Sequence, residues 1–322
     1  MTKTHIVRTI SLFVIWLMLL ACDKPKQNTQ ETIQQQSTMV TINNQSETTN
    51  QSPLLSQKQL KAISKLRDEL LNNDLAYQIL ESLTTEIGPR MAGTAQDPLA
   101  VTWAVAKMKS LGFDKVYTEE TTYSTWVRGI ETAEVTAPFP QNMHITALGG
   151  SVSTAEQGLE AEVVHLKSLA ALKEADALSI KNKIVFISNR MQRFIDGQGY
   201  GPAVQARSNG AIEAAKKGAL AIVIRSIGTD THRLPHTGMM RYDEKVTKIP
   251  AAALSNPDAD QLERIFSRQQ KVTLKLNIGS HAGADFTSHN VIGEITGNEK
   301  PDQFVIMGGH LDSWDLRHRR SR

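Results

Sequence analysis

The residues best suited to chemistry lie late in the 322-residue sequence. Phe304-Val305-Ile306-Met307 reads as a buried strand running straight into Gly308-Gly309-His310-Leu311-Asp312. In open α/β sheets ligands collect beyond the carboxyl ends of the strands, where His310 emerges. The two glycines let the backbone turn tightly there. A histidine that ligates zinc commonly gives its other ring N–H to a carboxylate, which fixes the tautomer and strengthens the ligand. His310 is therefore the candidate metal ligand, and Asp312 the candidate carboxylate that orients it. Spacing alone leaves a second reading open, a strand-end histidine beside an unrelated acid.

Other chemistry-bearing side chains point elsewhere. His232 and His236 are four apart, but Pro235 between them argues against a helix that would preset two ring ligands, so they read as a loop away from the metal crevice. His289 precedes a strand and faces either a cleft or solvent. Gly197-Gln198-Gly199-Tyr200-Gly201 lacks the lysine and Ser/Thr of a phosphate loop and reads as a turn cluster. No Gly-x-Ser-x-Gly elbow occurs, so a serine hydrolase is not supported.

The elements that must position His310 follow from periodicity. Leu60, Ile63, Leu66, Leu70 and Leu71 recur at helical steps. A second helix starts at Asp74, with Leu75, Ile79, Leu80 and Leu83 inward, and stops at Gly88-Pro89. A third is capped by Asp97, with Pro98 at its first position and Trp103, Met108 and Leu111 inward. Strands follow at 115–123 and 131–137. From about 158 to 278 strands and helices alternate, which predicts an α/β block with a core of its own. Strands return at 290–296 and 303–307.

Composition bounds the rest. Hydrophobic residues make up 40% and charged residues 21%, the balance of a globular protein. The formal charge is +3, and Arg317, Arg319, Arg320 and Arg322 account for more than all of it, so there is no footprint for nucleic acid. The start has a secretory layout: Lys3 and Arg8, an apolar run from Ile10 to Leu20, then Ala21. That run is too short for a helical membrane span, which needs roughly 20 residues. Cys22 is the sole cysteine, and Leu19-Leu20-Ala21-Cys22 resembles a bacterial lipobox, which implies a lipid anchor on Cys22. Between residues 23 and 53 stand twenty Gln, Asn, Ser or Thr and no aromatic residue. That composition reads as a disordered tether whose ends lie roughly 30 Å apart.

Gly309-His310-Leu311-Asp312-Ser313-Trp314-Asp315 resembles the first ligand motif of the zinc metallopeptidases of family twenty-eight, in their carboxypeptidase Q-like branch. Ile87-Gly88-Pro89-Arg90, Trp126-Val127-Arg128-Gly129, Ala147-Leu148-Gly149-Gly150-Ser151-Val152 and Asn290-Val291-Ile292-Gly293 match that branch in the same order. Arg207-Ser208-Asn209-Gly210-Ala211 and Gly218-Ala219-Leu220-Ala221-Ile222-Val223 resemble a protease-associated domain.

The resemblance covers about residues 56–316. It implies an α/β fold: an incomplete zinc-exopeptidase domain, a mixed central sheet flanked by helices, from segments 56–155 and 283–316. A protease-associated domain at 156–282 is inserted between them. Residues 1–22 are a lipoprotein signal and 23–55 the tether. It also implies two zinc ions per intact member, with His310 ligating one and Asp312 orienting it, short peptides as substrates, and a homodimer. The catalytic glutamate and the remaining ligands of the family have no counterpart here, and residues 317–322 form an aberrant basic tail. The expectation is an exported envelope lipoprotein, a metallo-exopeptidase by descent but inactive as written. The alternatives are a non-catalytic envelope-anchored module that binds through the insert, and a product with no function of its own.

Overall fold

A computed structural model describes residues 55–316; the signal, Cys22, most of the tether and the basic tail lie outside the described residues. The chain divides into two compact units, Met1–Asp68 and Glu69–Arg322. Most of the described part of the first unit is the beginning of α1 (Gln57–Leu71). Ser56 and Gln59 cap α1 reciprocally: the Gln59 amide donates to Ser56 Oγ and the Ser56 amide to Gln59 Oε1. That is the Ser/Thr-x-x-Glu/Gln capping box. No residue of α1 is buried.

In the second unit α2 (Leu75–Ser82) runs into a π-helical turn, Leu83–Ile87, that ends at Gly88. Of the four apolar residues expected inward there, Leu83 is buried, Ile79 half-buried, and Leu75 and Leu80 exposed. Helix α3 (Asp97–Ser110) carries Pro98 in its first turn as expected, but its buried residues are Asp97, Ala100 and Ala104, and Leu111 is exposed. Small residues take the inward stripe because α3 lies close against a long ribbon. That ribbon pairs β1 (Lys115–Val127) antiparallel with β10 (His281–Glu294), from Lys115 opposite Glu294 to Val127 opposite His281. Gly293 allows the approach: a Cβ there would come within 2.6 Å of the Phe113 ring and 2.9 Å of Met108 Sδ.

The remaining eight strands form one mixed sheet. They are β2 (Glu131–Ala137), β3 (Gln141–Met143), β4 (Ile145–Ala147), β5 (Leu159–Leu166), β6 (Ile184–Ile187), β7 (Ala221–Arg225), β8 (Ala251–Leu254) and β9 (Thr273–Ile278). Their order is β3-β2-β9-β5-β6-β7-β8-β4. Strands β5 to β8 run parallel and the outer pairings are antiparallel. Strands β6 to β8 are buried along their whole length, as parallel strands covered on both faces must be.

Alternation along β6 sorts the two layers. Ile184 and Phe186 pack with Ala259, Leu262 and Ile265 of α7 (Asn256–Phe266). Val185 and Ile187 pack with Ala206, Ala211 and Ala214 of α6 (Tyr200–Lys216). Leu172 of α4 (Leu169–Glu174) and Ile180 of α5 (Ala177–Ile180) join the second layer. Residues 169–180 thus form a pair of short helices rather than one continuous run. Asp176 caps α5 through the Leu178 amide and breaks the run in two.

Two expectations are corrected. The sheet reaches further back than the division at residue 156, because β2, β3 and β4, assigned to the first segment, hydrogen-bond into the sheet of the alternating block. Residues 303–307 form no strand: Phe304 to Met307 are irregular, and Val305 is 93% exposed. An apolar run becomes a buried strand only when neighbours pair with both its edges, and among the described residues nothing pairs with it.

Candidate active-site segment

Chain geometry around His310 is built by two arginines, not by a strand. Arg90 follows Gly88-Pro89, beyond the π turn, and donates from Nε to the carbonyl of Leu311 at 2.6 Å. Its amide donates to Ser313 Oγ at 3.1 Å, and the Ser313 amide returns a bond to the Arg90 carbonyl. Arg90 is buried; burial pulls its guanidinium below the ordinary arginine value, and the charge of Asp312 pushes the other way.

Arg128, just past the end of β1, grips the other end. Its Nε lies 2.8 and 3.0 Å from the two carboxylate oxygens of Asp315. Its NH1 donates to Glu131 Oε1 and to the Ala147 carbonyl, and its guanidinium lies 4.9 Å from the centre of the Trp126 ring. The chain can cross here because residue 129 is glycine. Its φ is +69°, and a Cβ would fall 2.3 Å from the Gly279 carbonyl oxygen. Trp126 is fixed in turn by donating to the Ser151 carbonyl at 2.9 Å. Four separate sequence motifs therefore have one physical account: 87–90, 126–129 and 147–152 hold 309–315 in place.

Within the held segment His310 Nδ1 lies 2.7 Å from Asp312 Oδ1. The carboxylate only accepts, so Nδ1 carries a proton and Nε2 is the ring nitrogen left for another partner. The His310 side chain is 91% exposed. His310 and Asp312 border an open cleft of about 1060 Å³ that also reaches Asp97, Tyr123, Ser288 and His289. Asp97, read from sequence as a helix cap, is a buried hub: it accepts from the Gly93 amide, Tyr123 Oη and Ser288 Oγ. Burial, then the bond to Asp97, push the Tyr123 phenol up to about 12. Little that is local marks such a hub, because two of its three partners come from β1 and β10. His289 sits in the same cleft, 3.9 Å from Glu120 Oε1.

The 232–236 stretch is a loop, as expected, but it is not remote. His236 meets Trp314 edge to face, with ring centroids 6.2 Å apart. The two loop histidines do not converge: His236 Nε2 bonds Tyr200 Oη and His232 Nδ1 accepts from the Leu234 amide. Among the described residues no three His, Cys, Asp or Glu side chains gather as a metal site. No described helix is long and apolar enough to cross a membrane.

Comparison with known proteins gives this arrangement a class. The fold is shared with the peptidase M28 precursor of Shewanella amazonensis. The structures match with a TM-score of 0.77 and 50% identity over 79% of this chain and 58% of that one. Carboxypeptidase Q of Xenopus laevis and of Homo sapiens are each 36% identical to it over 241 residues, 75% of this chain and 50% of theirs. No family model matches. Over the portion it spans, the chain is similar in sequence to carboxypeptidase Q and in sequence and structure to an M28 peptidase. It spans about half the length of the curated relatives it matches.

Proposed function

We propose that this chain is the part of a zinc-dependent exopeptidase that presents the first metal-ligand segment, and that the whole protein hydrolyses short peptides. The reading is carried by the double clamp: Arg90 and Arg128 reach 221 and 187 residues along the sequence to hold Leu311 and Asp315. A protein has little reason to fix an exposed histidine so firmly unless the ring is to meet something. In this reading His310 ligates through Nε2 and Asp312 orients it, as metal-bound histidines are commonly oriented. Names of the relatives, a peptidase and a carboxypeptidase, agree with that chemistry.

Zinc fits one arm only. A catalytic zinc takes about three protein ligands and a water, whereas His310 has no second metal-ligating partner beside Asp312 among the described residues. No chemical step is therefore assigned to the metal here, and we infer that the 322-residue chain alone does not turn peptides over. Export through the 1–22 signal, anchoring at Cys22, a protease-associated role for the 156–282 block and pairing into a homodimer belong to the same proposal.

The deciding experiment is metal analysis and dipeptide hydrolysis on the purified chain with zinc supplied. Substoichiometric, readily removed zinc and no turnover is the expected result. Two tightly held ions with hydrolysis would overturn the inactivity, and failure of His310→Ala to alter zinc uptake would overturn the ligand assignment.

A further inference from the structure

A second, smaller cleft adjoins the clamped segment. It has a volume of about 380 Å³ and lies past the carboxyl end of β7, between the loop that follows and Trp314 and Leu316. Leu234 and Pro235 make the loop side apolar, and the 45% exposed Trp314 indole lies on the other. Trp314 is four positions from His310, so the two Cα atoms are at most about 14 Å apart. That is the reach of a short peptide.

Among the described residues lining this cleft, Asp230 is the only Asp, Glu, Lys or Arg, and its carboxylate is half used. Oδ2 accepts from Asn256 Nδ2 at 3.3 Å, whereas Oδ1 is buried without a hydrogen-bond partner. The His232 ring comes within 3.4 Å of Oδ1 but has nothing to give it. Its Nδ1 already accepts from the Leu234 amide, and a nitrogen that accepts carries no proton to donate. Thr237 Oγ1, on the same walls, is likewise without a partner, in a residue only 1% exposed. A buried acceptor left unmet is costly, and two of them lining one cleft mark a place for a donor.

Neighbouring cations do not fill that role. Arg207 donates from NH1 to Tyr200 Oη and to the Thr237 carbonyl, and Arg233 pairs with Asp258 at 3.4 Å. Burial, then Arg207, hold the His236 imidazole below the usual histidine value, so it brings no charge at neutral pH.

We propose that this cleft is a subsite for the lysine side chain of a peptide. The ammonium head meets Asp230 Oδ1 and Thr237 Oγ1, and the stem lies along Trp314 and Leu234. The His232 ring, 61% exposed, turns aside to admit the head. An ammonium is a compact donor that can bond both oxygens and rest against an indole face. Its long methylene stem suits apolar walls. A guanidinium fits less well, because its planar fork seeks both oxygens of one carboxylate and Asn256 holds the second. Calling the cleft a substrate subsite rests on the peptidase reading; the binding itself does not require turnover.

The test is calorimetric titration of the metal-free 322-residue chain with glycyl-lysine, glycyl-norleucine, glycyl-arginine and N-acetyl-glycyl-lysine. Glycyl-lysine should bind at least about 10-fold tighter than glycyl-norleucine, which keeps the stem without the charge; one hydrogen bond to a charged group contributes that much. It should also bind tighter than glycyl-arginine. N-acetyl-glycyl-lysine should match glycyl-lysine, which would put the side chain and not the peptide's amino terminus in the cleft. Asp230→Asn should erase the lysine preference, and Thr237→Val should reduce it even if the aspartate variant fails to fold. Equal affinity for norleucine, a preference for arginine, loss of binding on acetylation, or a preference untouched by both variants would overturn the subsite. Absence of hydrolysis with zinc bears on the peptidase reading alone.

Discussion

Arg128 Nε lies 2.8 Å from Asp315 Oδ2, and the side chains are only 8% and 18% exposed. A charge pair this shielded is strong only as a pair. Arg128→Met should cost on the order of 3–5 kcal/mol in urea unfolding, because it strands the Asp315 carboxylate. Arg128→Met with Asp315→Leu should recover the Asp315 share of that loss, Glu131 still lacking the Arg128 charge. If the double variant were as unstable as the single one, the pair would not be what holds the segment.

Arg90 acts more locally. Arg90→Ala removes the bonds to the half-buried Leu311 and Gly88 carbonyls, a loss of about 1–3 kcal/mol. The effect should be concentrated in the held segment. Amide exchange of Leu311 to Asp315 should accelerate while that of β6 to β8 is unchanged. Uniform acceleration across the sheet would show Arg90 to be a general stabiliser instead.

The short contact between His310 and Asp312 predicts a graded response to metal. Asp312→Asn keeps the shape but loses the charge that stiffens the ring, and should weaken zinc uptake by roughly 10–100-fold. His310→Ala should abolish whatever uptake the segment supports. Unchanged uptake in Asp312→Asn would remove that aspartate from the site.

A third network makes stability fall in acid. Burial pushes the Glu263 carboxyl up, but hydrogen bonds and charge from Lys167, Ser188, Arg225 and Arg190 win and hold it at about 2. A depressed carboxyl contributes its stability above its unfolded value and loses it as pH falls through the folded one. The loss should therefore run from about pH 4.5 down to about pH 2, on the order of 2–3 kcal/mol. Stepped-pH urea melts should show it, with the slope reduced in Glu263→Gln. An identical slope in that variant would assign the acid sensitivity to other carboxylates.

Local pattern alone marked most of the helices and strands here, because a helical stripe or a buried run such as Ile184–Ile187 is written within a few residues. It also marked His310 and Asp312, whose contact spans two positions. Three things were not local. Glu131–Ala147 joins the sheet only because β9 and β8 arrive from more than a hundred residues away to pair with it. Val305 and its neighbours have strand composition, yet pairing is a property of two segments, and among the described residues no second one is present. His236 and Trp314, 78 positions apart by number, meet because the loop after β7 lies beside the segment that Arg90 and Arg128 hold. The sequence could single out His310 and Asp312; the arginines that hold their segment, and the loop that meets Trp314, are consequences of long-range contacts that only the folded chain can make.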